Sequence, residues 1–173
     1  MARYLTIFVI DNQNDHCKSE KSVLMAINFD KYAQEGNAFV NNLADKLGHP
    51  RETGRTGILL RAVLHTLRDR ITVEESLNMI SQFPAFIKAI YAENWKAREK
   101  PLQIRTVGEF CEQVKEHQSM YGEQEFDWNK STEELVGIVL ESLSDYVTEG
   151  EAGNVIAQLP EEMKEYFREK LIA

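Results

Sequence analysis

Residues 60–91, LRAVLHTLRDRITVEESLNMISQFPAFIKAIY, return as residues 136–167, VGIVLESLSDYVTEGEAGNVIAQLPEEMKEYF, at a constant offset of 76 and without a gap. Eleven of the 32 aligned pairs are identical: Val63/Val139, Leu64/Leu140, Leu67/Leu143, Asp69/Asp145, Thr72/Thr148, Glu75/Glu151, Asn78/Asn154, Ile80/Ile156, Gln82/Gln158, Pro84/Pro160 and Lys88/Lys164. Most of these are apolar, capping or helix-start residues. The duplicated object therefore reads as a packing unit and not as a reaction centre.

Each copy spells out three helices. Leu60, Val63, Leu64, Leu67 and Ile71, and in the second copy Val136, Val139, Leu140, Leu143 and Val147, fall at helical spacing and predict a long amphipathic helix. Thr72-Val73-Glu74-Glu75 and Thr148-Glu149-Gly150-Glu151 read as capping boxes opening a short helix. That helix stops near Gln82 or Gln158, because Phe83 and Leu159 precede prolines and are pushed out of helical geometry. Pro84 and Pro160 suit the first turn of a third helix, which carries Phe86, Ile87, Ile90 and Tyr91 in one copy and Met163, Tyr166, Phe167 and Leu171 in the other. Gly150 and Gly153 replace Glu74 and Leu77, and each weakens its helix by about 1 kcal/mol.

Upstream, Phe39, Val40, Leu43 and Leu47 form a stripe closed by Gly48, and Thr106-Val107-Gly108-Glu109 opens a helix with Phe110, Val114 and Tyr121 that Gly122 ends. A further capping box runs from Ser131 to Glu134. The reading is an all-α fold in which two four-helix repeats pack into one helical domain. Repeat 1 spans 29–95, a linker with Pro101 spans 96–105, and repeat 2 spans 106–173. Residues 1–28 stand outside as an N-terminal extension, with a β-rich run at Tyr4 to Ile10 that suggests a short β segment. Met25-Ala26 stands just before the first unit, where translation could begin.

Size and composition suit one domain with its own core: 173 residues, 43% hydrophobic and 28% charged. Cys17 and Cys111 lie far apart with no CxxC or Cys/His ligand spacing, which reads as free thiols in a reducing cytoplasm and argues against a zinc site. No apolar stretch of about 18 residues or a cleavable leader is visible, so neither a membrane span nor secretion is expected. The net charge of −8 is uneven: residues 1–105 hold 15 Lys and Arg against 12 Asp and Glu, while residues 106–173 hold 5 against 16. An acidic chain is a poor match for nucleic acid.

Arg51, Arg55, Arg61, Arg68 and Arg70, with His65 among them, form the most conspicuous functional candidate. On an ideal helix Arg61, His65 and Arg68 fall within about 60° of one another, beside the apolar stripe, as a cationic edge. The second copy has Gly137, Glu141 and Ser144 there, so the packing unit is kept and the charge is not. Arg55, Arg61, His65 and Arg68 are the candidate anion- or partner-binding residues, since guanidinium groups offer paired donors. The alternatives are a solvated face and arginines paired with the acidic second repeat.

No catalytic, cofactor-binding or metal-ligating set is evident. His16-Cys17 lacks an orienting group, His49 reads as a helix entry, His117 as an exposed residue of an acidic helix, and Asp69 and Asp145 as structural turns. Gly54-Arg55-Thr56-Gly57 lacks the lysine of a phosphate loop, and Trp95 and Trp128 read as covers for the core.

The order Leu-x-Asp-x-Ile/Val, Thr-x-x-Glu and Gln-Phe/Leu-Pro, occurring twice, with Phe29-Asp30-Lys31-Tyr32 and Ala62-Val63-Leu64-His65-Thr66-Leu67, resembles the bacterial family called domain of unknown function 2267. The resemblance covers about residues 27 to 171 and implies an all-helical cytoplasmic protein with no assigned activity. The functional expectation is a non-enzymatic protein-interaction module. Its partner is chosen by the basic edge of repeat 1 or the acidic surface of repeat 2. The alternative is a protein that binds a small ligand, an anion or nucleic acid, or an enzyme with its site between the repeats.

Overall fold

The computed structural model describes residues 28–97 and 100–172. Eight helices occupy them: α1 (Phe29–Leu47), α2 (Thr53–Arg70), α3 (Val73–Gln82), α4 (Ala85–Ala92), α5 (Val107–Ser119), α6 (Thr132–Ser144), α7 (Glu149–Ala157) and α8 (Glu161–Leu171). The fold is all-α, with no strand among the described residues. The β segment expected at Tyr4 to Ile10, and the possible start at Met25, lie outside them. None of the helices is long and apolar enough to cross a membrane.

Helix starts follow the local chemistry. The Asn28 side chain accepts from the Lys31 amide at 3.1 Å, Thr72 from Glu75 at 3.3 Å, Thr106 from Glu109 at 3.1 Å, Ser131 from Glu134 at 3.2 Å and Thr148 from Glu151 at 3.4 Å. Of the four expected capping boxes, only that of Ser131 closes, with Glu134 taking the Ser131 amide at 2.7 Å. Glu109 takes the Arg105 amide instead. The amides of Thr72 and Thr148 find acceptors across the molecule: Thr72 donates to the Gln158 side chain at 2.9 Å and Thr148 to the Gln82 side chain at 2.8 Å. Matched residues of the two sequence copies thus bond each other reciprocally where α3 meets α7. Pro84 and Pro160 are N-caps, one position earlier than the first-turn placement expected. At the end of α1, Gly48 takes φ +88°, a conformation glycine adopts without strain, and its amide and that of His49 close the helix.

The core is organised around α2. Leu59, Leu60, Ala62, Val63, Leu64 and Leu67 are fully buried, because α1, α4, α5 and α6 all pack against this helix. Phe110 of α5 meets Phe167 of α8 edge to face, with centroids 5.2 Å apart, and Phe39 of α1 packs against Phe86 and Tyr146. The segment before α5 is fastened to the end of α2 by the Leu102 amide donating to Asp69 O at 2.8 Å and Arg70 Nε donating to Ile104 O at 2.8 Å.

Leu64 lies at the centre of this packing, so Leu64→Ala is expected to cost about 2–5 kcal/mol. Urea unfolding should show the midpoint falling while the slope stays unchanged.

Candidate functional site

Helix α4 is eight residues long and has no basic residue in its last turn. Its terminal carbonyls need donors from elsewhere. The side chains of α2 supply them: His65 Nε2 lies 2.9 Å from Ile90 O, and Arg68 Nη1 donates to Tyr91 O and, at 3.0 Å, to Glu93 O. Both residues are buried, His65 at 3% and Arg68 at 5% exposure, in contrast to the surface edge expected from the helical wheel. The second copy differs at this place. Helix α8 has eleven residues with Arg168 and Lys170 in its last turn, and Lys170 reaches Glu141, the residue matching His65, at 2.9 Å.

Arg55, Arg61 and Arg70 are also engaged inside the molecule, while Arg51 is exposed. Arg55 is held by Glu123 at 2.7 Å, Glu52 at 2.7 Å and Asp127 at 2.7 Å, and lies over the rings of Phe126 and Trp128. Its hydrogen bonds to Glu123 and Asp127 raise its pKa further, while Arg55 holds Glu52 and Asp127 below the usual carboxylate range. Arg61 bonds Glu93 at 2.6 Å and covers the Tyr121 ring at 4.7 Å. Arg70 is spent on Ile104 O, and burial lowers its pKa.

The closing of α4 brings a set of polar groups together. Asp69 receives Arg68 Nε at 3.2 Å, and the other Asp69 oxygen lies 3.8 Å from His117 Nε2 of α5. His117 stands edge to face with His65, ring centroids 5.8 Å apart. His117 is buried at 9% exposure, a correction to the expectation of an exposed residue. Asp69 is a partner of the buried Arg68 and His117 side chains and more than a turn residue. These groups line an open cleft of about 500 Å³, walled by Asn94, Lys96, Met120 and Tyr121. Asn94 adopts φ +53°, a left-handed conformation its short amide tolerates.

Since Ile90 O can only accept, Nε2 of His65 carries the proton and Nδ1 remains an acceptor. Burial pushes the His65 pKa down to about 4, so the ring is neutral at physiological pH. The cleft thus offers imidazole, carboxylate, phenol and amine groups on a rigid frame. Three other grooves, of about 610, 590 and 710 Å³, lie elsewhere on the surface and contain no histidine.

Of the sequence candidates, His65 and Arg68 belong to this cleft, Arg61 flanks it through Tyr121, and Arg55 lies apart in its own cluster. Asp69, His117 and Tyr121 were missed as a group. The i, i+4 spacing of His65 and Asp69 was visible, but nothing local brings in α5. Among the described residues no three His, Cys, Asp or Glu side chains are placed to hold a metal ion. Cys111 is a buried thiol whose pKa burial pushes up to about 11, which keeps it protonated.

The family model described as "Uncharacterized conserved protein (DUF2267)" matches residues 36–166. A search of curated proteins finds no match.

Arg68→Ala would leave buried carbonyls and Asp69 without their donor and is expected to cost about 3 kcal/mol in chemical unfolding, with Arg68→Lys recovering only part. Because the folded-state pKa of His65 lies below its ordinary 6.5, the unfolded chain takes up the proton first. Stability from neutral His65 is complete above that value and is lost as pH falls toward about 4. An NMR titration of the His65 imidazole should find its midpoint near 4, and His65→Gln should flatten the acid limb of the stability profile.

Proposed function

The chain belongs to the family matched by residues 36–166, whose description assigns no activity, and on that premise we propose that it is a binding protein for small organic anions. The observation that carries this reading is the convergence of His65, Asp69 and His117 from two helices along one cleft with an aromatic and a thioether wall. Ligand sites typically combine an apolar wall with a few convergent polar groups in a cleft of this size. Arg61, Arg68 and Lys96 outnumber Asp69 and Glu93 around it, so the cleft is locally positive in a chain of net charge −8. The ligand class is a carboxylate or phosphate with an apolar body. The anion meets Lys96, and the body lies against Met120 and Tyr121.

We further infer two helical repeats, 29–95 and 106–173, joined by 96–105, with the cleft between them, in a cytoplasmic protein. A second reading, a protein partner chosen by the acidic second unit, rests on the 16 acidic against 5 basic residues of 106–173. The arginines give it little support, since Arg55, Arg61, Arg68 and Arg70 are each paired within the molecule.

Titration with benzoate and with inorganic phosphate tests the proposal. The imidazole signals of His65 and His117 should shift saturably while those of His49, outside the cleft, stay in place. Lys96→Glu should weaken benzoate about tenfold, equivalent to about 1.4 kcal/mol. Shifts that never saturate, or that are indifferent to Lys96→Glu, would remove the anion reading and leave the protein-partner one.

A further inference from the structure

Beyond the cleft, we propose that Glu75 faces Glu151 across the joint between α3 and α7 as a protonated carboxyl, and that loss of this proton loosens the joint. The two residues are a matched pair of the sequence copies, and they meet where the copies meet. Had their capping boxes closed, each carboxylate would lie on its own helix start. The amides of Thr72 and Thr148 are taken by Gln158 and Gln82 instead, so both carboxyl groups are released toward each other.

Glu75 is 8% exposed, and its Oε1, like Oε1 of Glu151, is buried with no hydrogen-bond donor among the described residues. Its other oxygen accepts from Gln158 Nε2 at 3.2 Å. A proton on one carboxyl provides the missing donor and removes the repulsion between two like charges held together out of water.

The surrounding groups do not neutralise the pair. Glu151 faces Glu75 from α7, and Glu74 adds a like charge from its own helix. From α4, the Tyr91 hydroxyl is neutral because burial raises its pKa, and it donates to Ser76 at 3.1 Å. From α2, Arg68 and Asp69 act on the same hydroxyl, and the Arg68 charge is already met by Asp69. Burial, followed by the contact with Glu151, accordingly holds the Glu75 carboxyl above the usual range.

A raised folded-state pKa gives stability that is complete below the ordinary carboxylate value and is lost as pH rises through the folded value. The joint is therefore tightest in acid and loosens toward alkaline pH, the opposite direction from the His65 contribution.

The test compares the full chain with Glu151→Gln in thermal unfolding across about pH 5 to 8, together with a carbon-detected titration of the wild-type Glu75 carboxyl. The variant keeps the shape and supplies a permanent donor. Its midpoint should coincide with wild type near pH 5 and exceed it by about 2–4 °C near pH 8. The Glu75 carboxyl should titrate above 4.5. A constant offset between the two unfolding curves at every pH, or a Glu75 midpoint at or below 4.5, would overturn the proposal. Should the variant fail to fold, the wild-type titration decides alone. Neither readout depends on whether benzoate binds the cleft.

Discussion

Helices of eight to eleven residues do not persist alone in water, and four of the eight helices, α3, α4, α7 and α8, are of that length. Of these, α4 packs directly on α2, while α3 packs on α4, α8 on α5 and α6, and α7 on α8. Leu59, Leu60, Val63, Leu64 and Leu67 are fully buried on α2, and α5 makes the most extensive of the contacts on this helix. Burial of this helix ties together α1, α4, α5 and α6, and the buried apolar residues of the described chain form one continuous cluster.

A second constraint follows from the shortness of α4. A helix end brought into the interior must have its carbonyls satisfied. His65 and Arg68 meet that need, and in doing so they lose the exposure that a helical wheel assigns them. The same contacts draw Asp69 toward His117 and shape the cleft beside Tyr121. Structural and chemical roles are therefore joined in the same side chains. Local closure of a helix end supplies the fixed positions and the displaced protonation behaviour that a binding site uses.

Polar residues also define the contact between α3 and α7. Thr72 with Gln158 and Thr148 with Gln82 form a reciprocal pair of bonds, a self-complementary contact of the kind found between identical subunits, here within one chain. These bonds are exposed to water and contribute little net stability, but they give the contact a matched geometry. The Glu75 carboxyl lies within that arrangement, facing Glu151, and gives it a dependence on protons that an apolar contact would lack.

The sequence by itself determined the helices, their order and most of their starts. Those depend on spacing, on a hydroxyl near its own helix's amides and on proline, all of which act over a few residues. It also made the duplication and the family resemblance legible through Val63, Leu67, Thr72, Gln82 and their matches. Only the tertiary structure decided which partners the long polar side chains take. Arg68 reaches carbonyls 23 and 25 residues away, Asp69 meets a histidine 48 positions along, and Gln158 bonds a threonine 86 residues distant. A flexible side chain chooses among donors and acceptors by proximity in space, and that proximity is set by packing between helices, which no periodicity along the chain encodes.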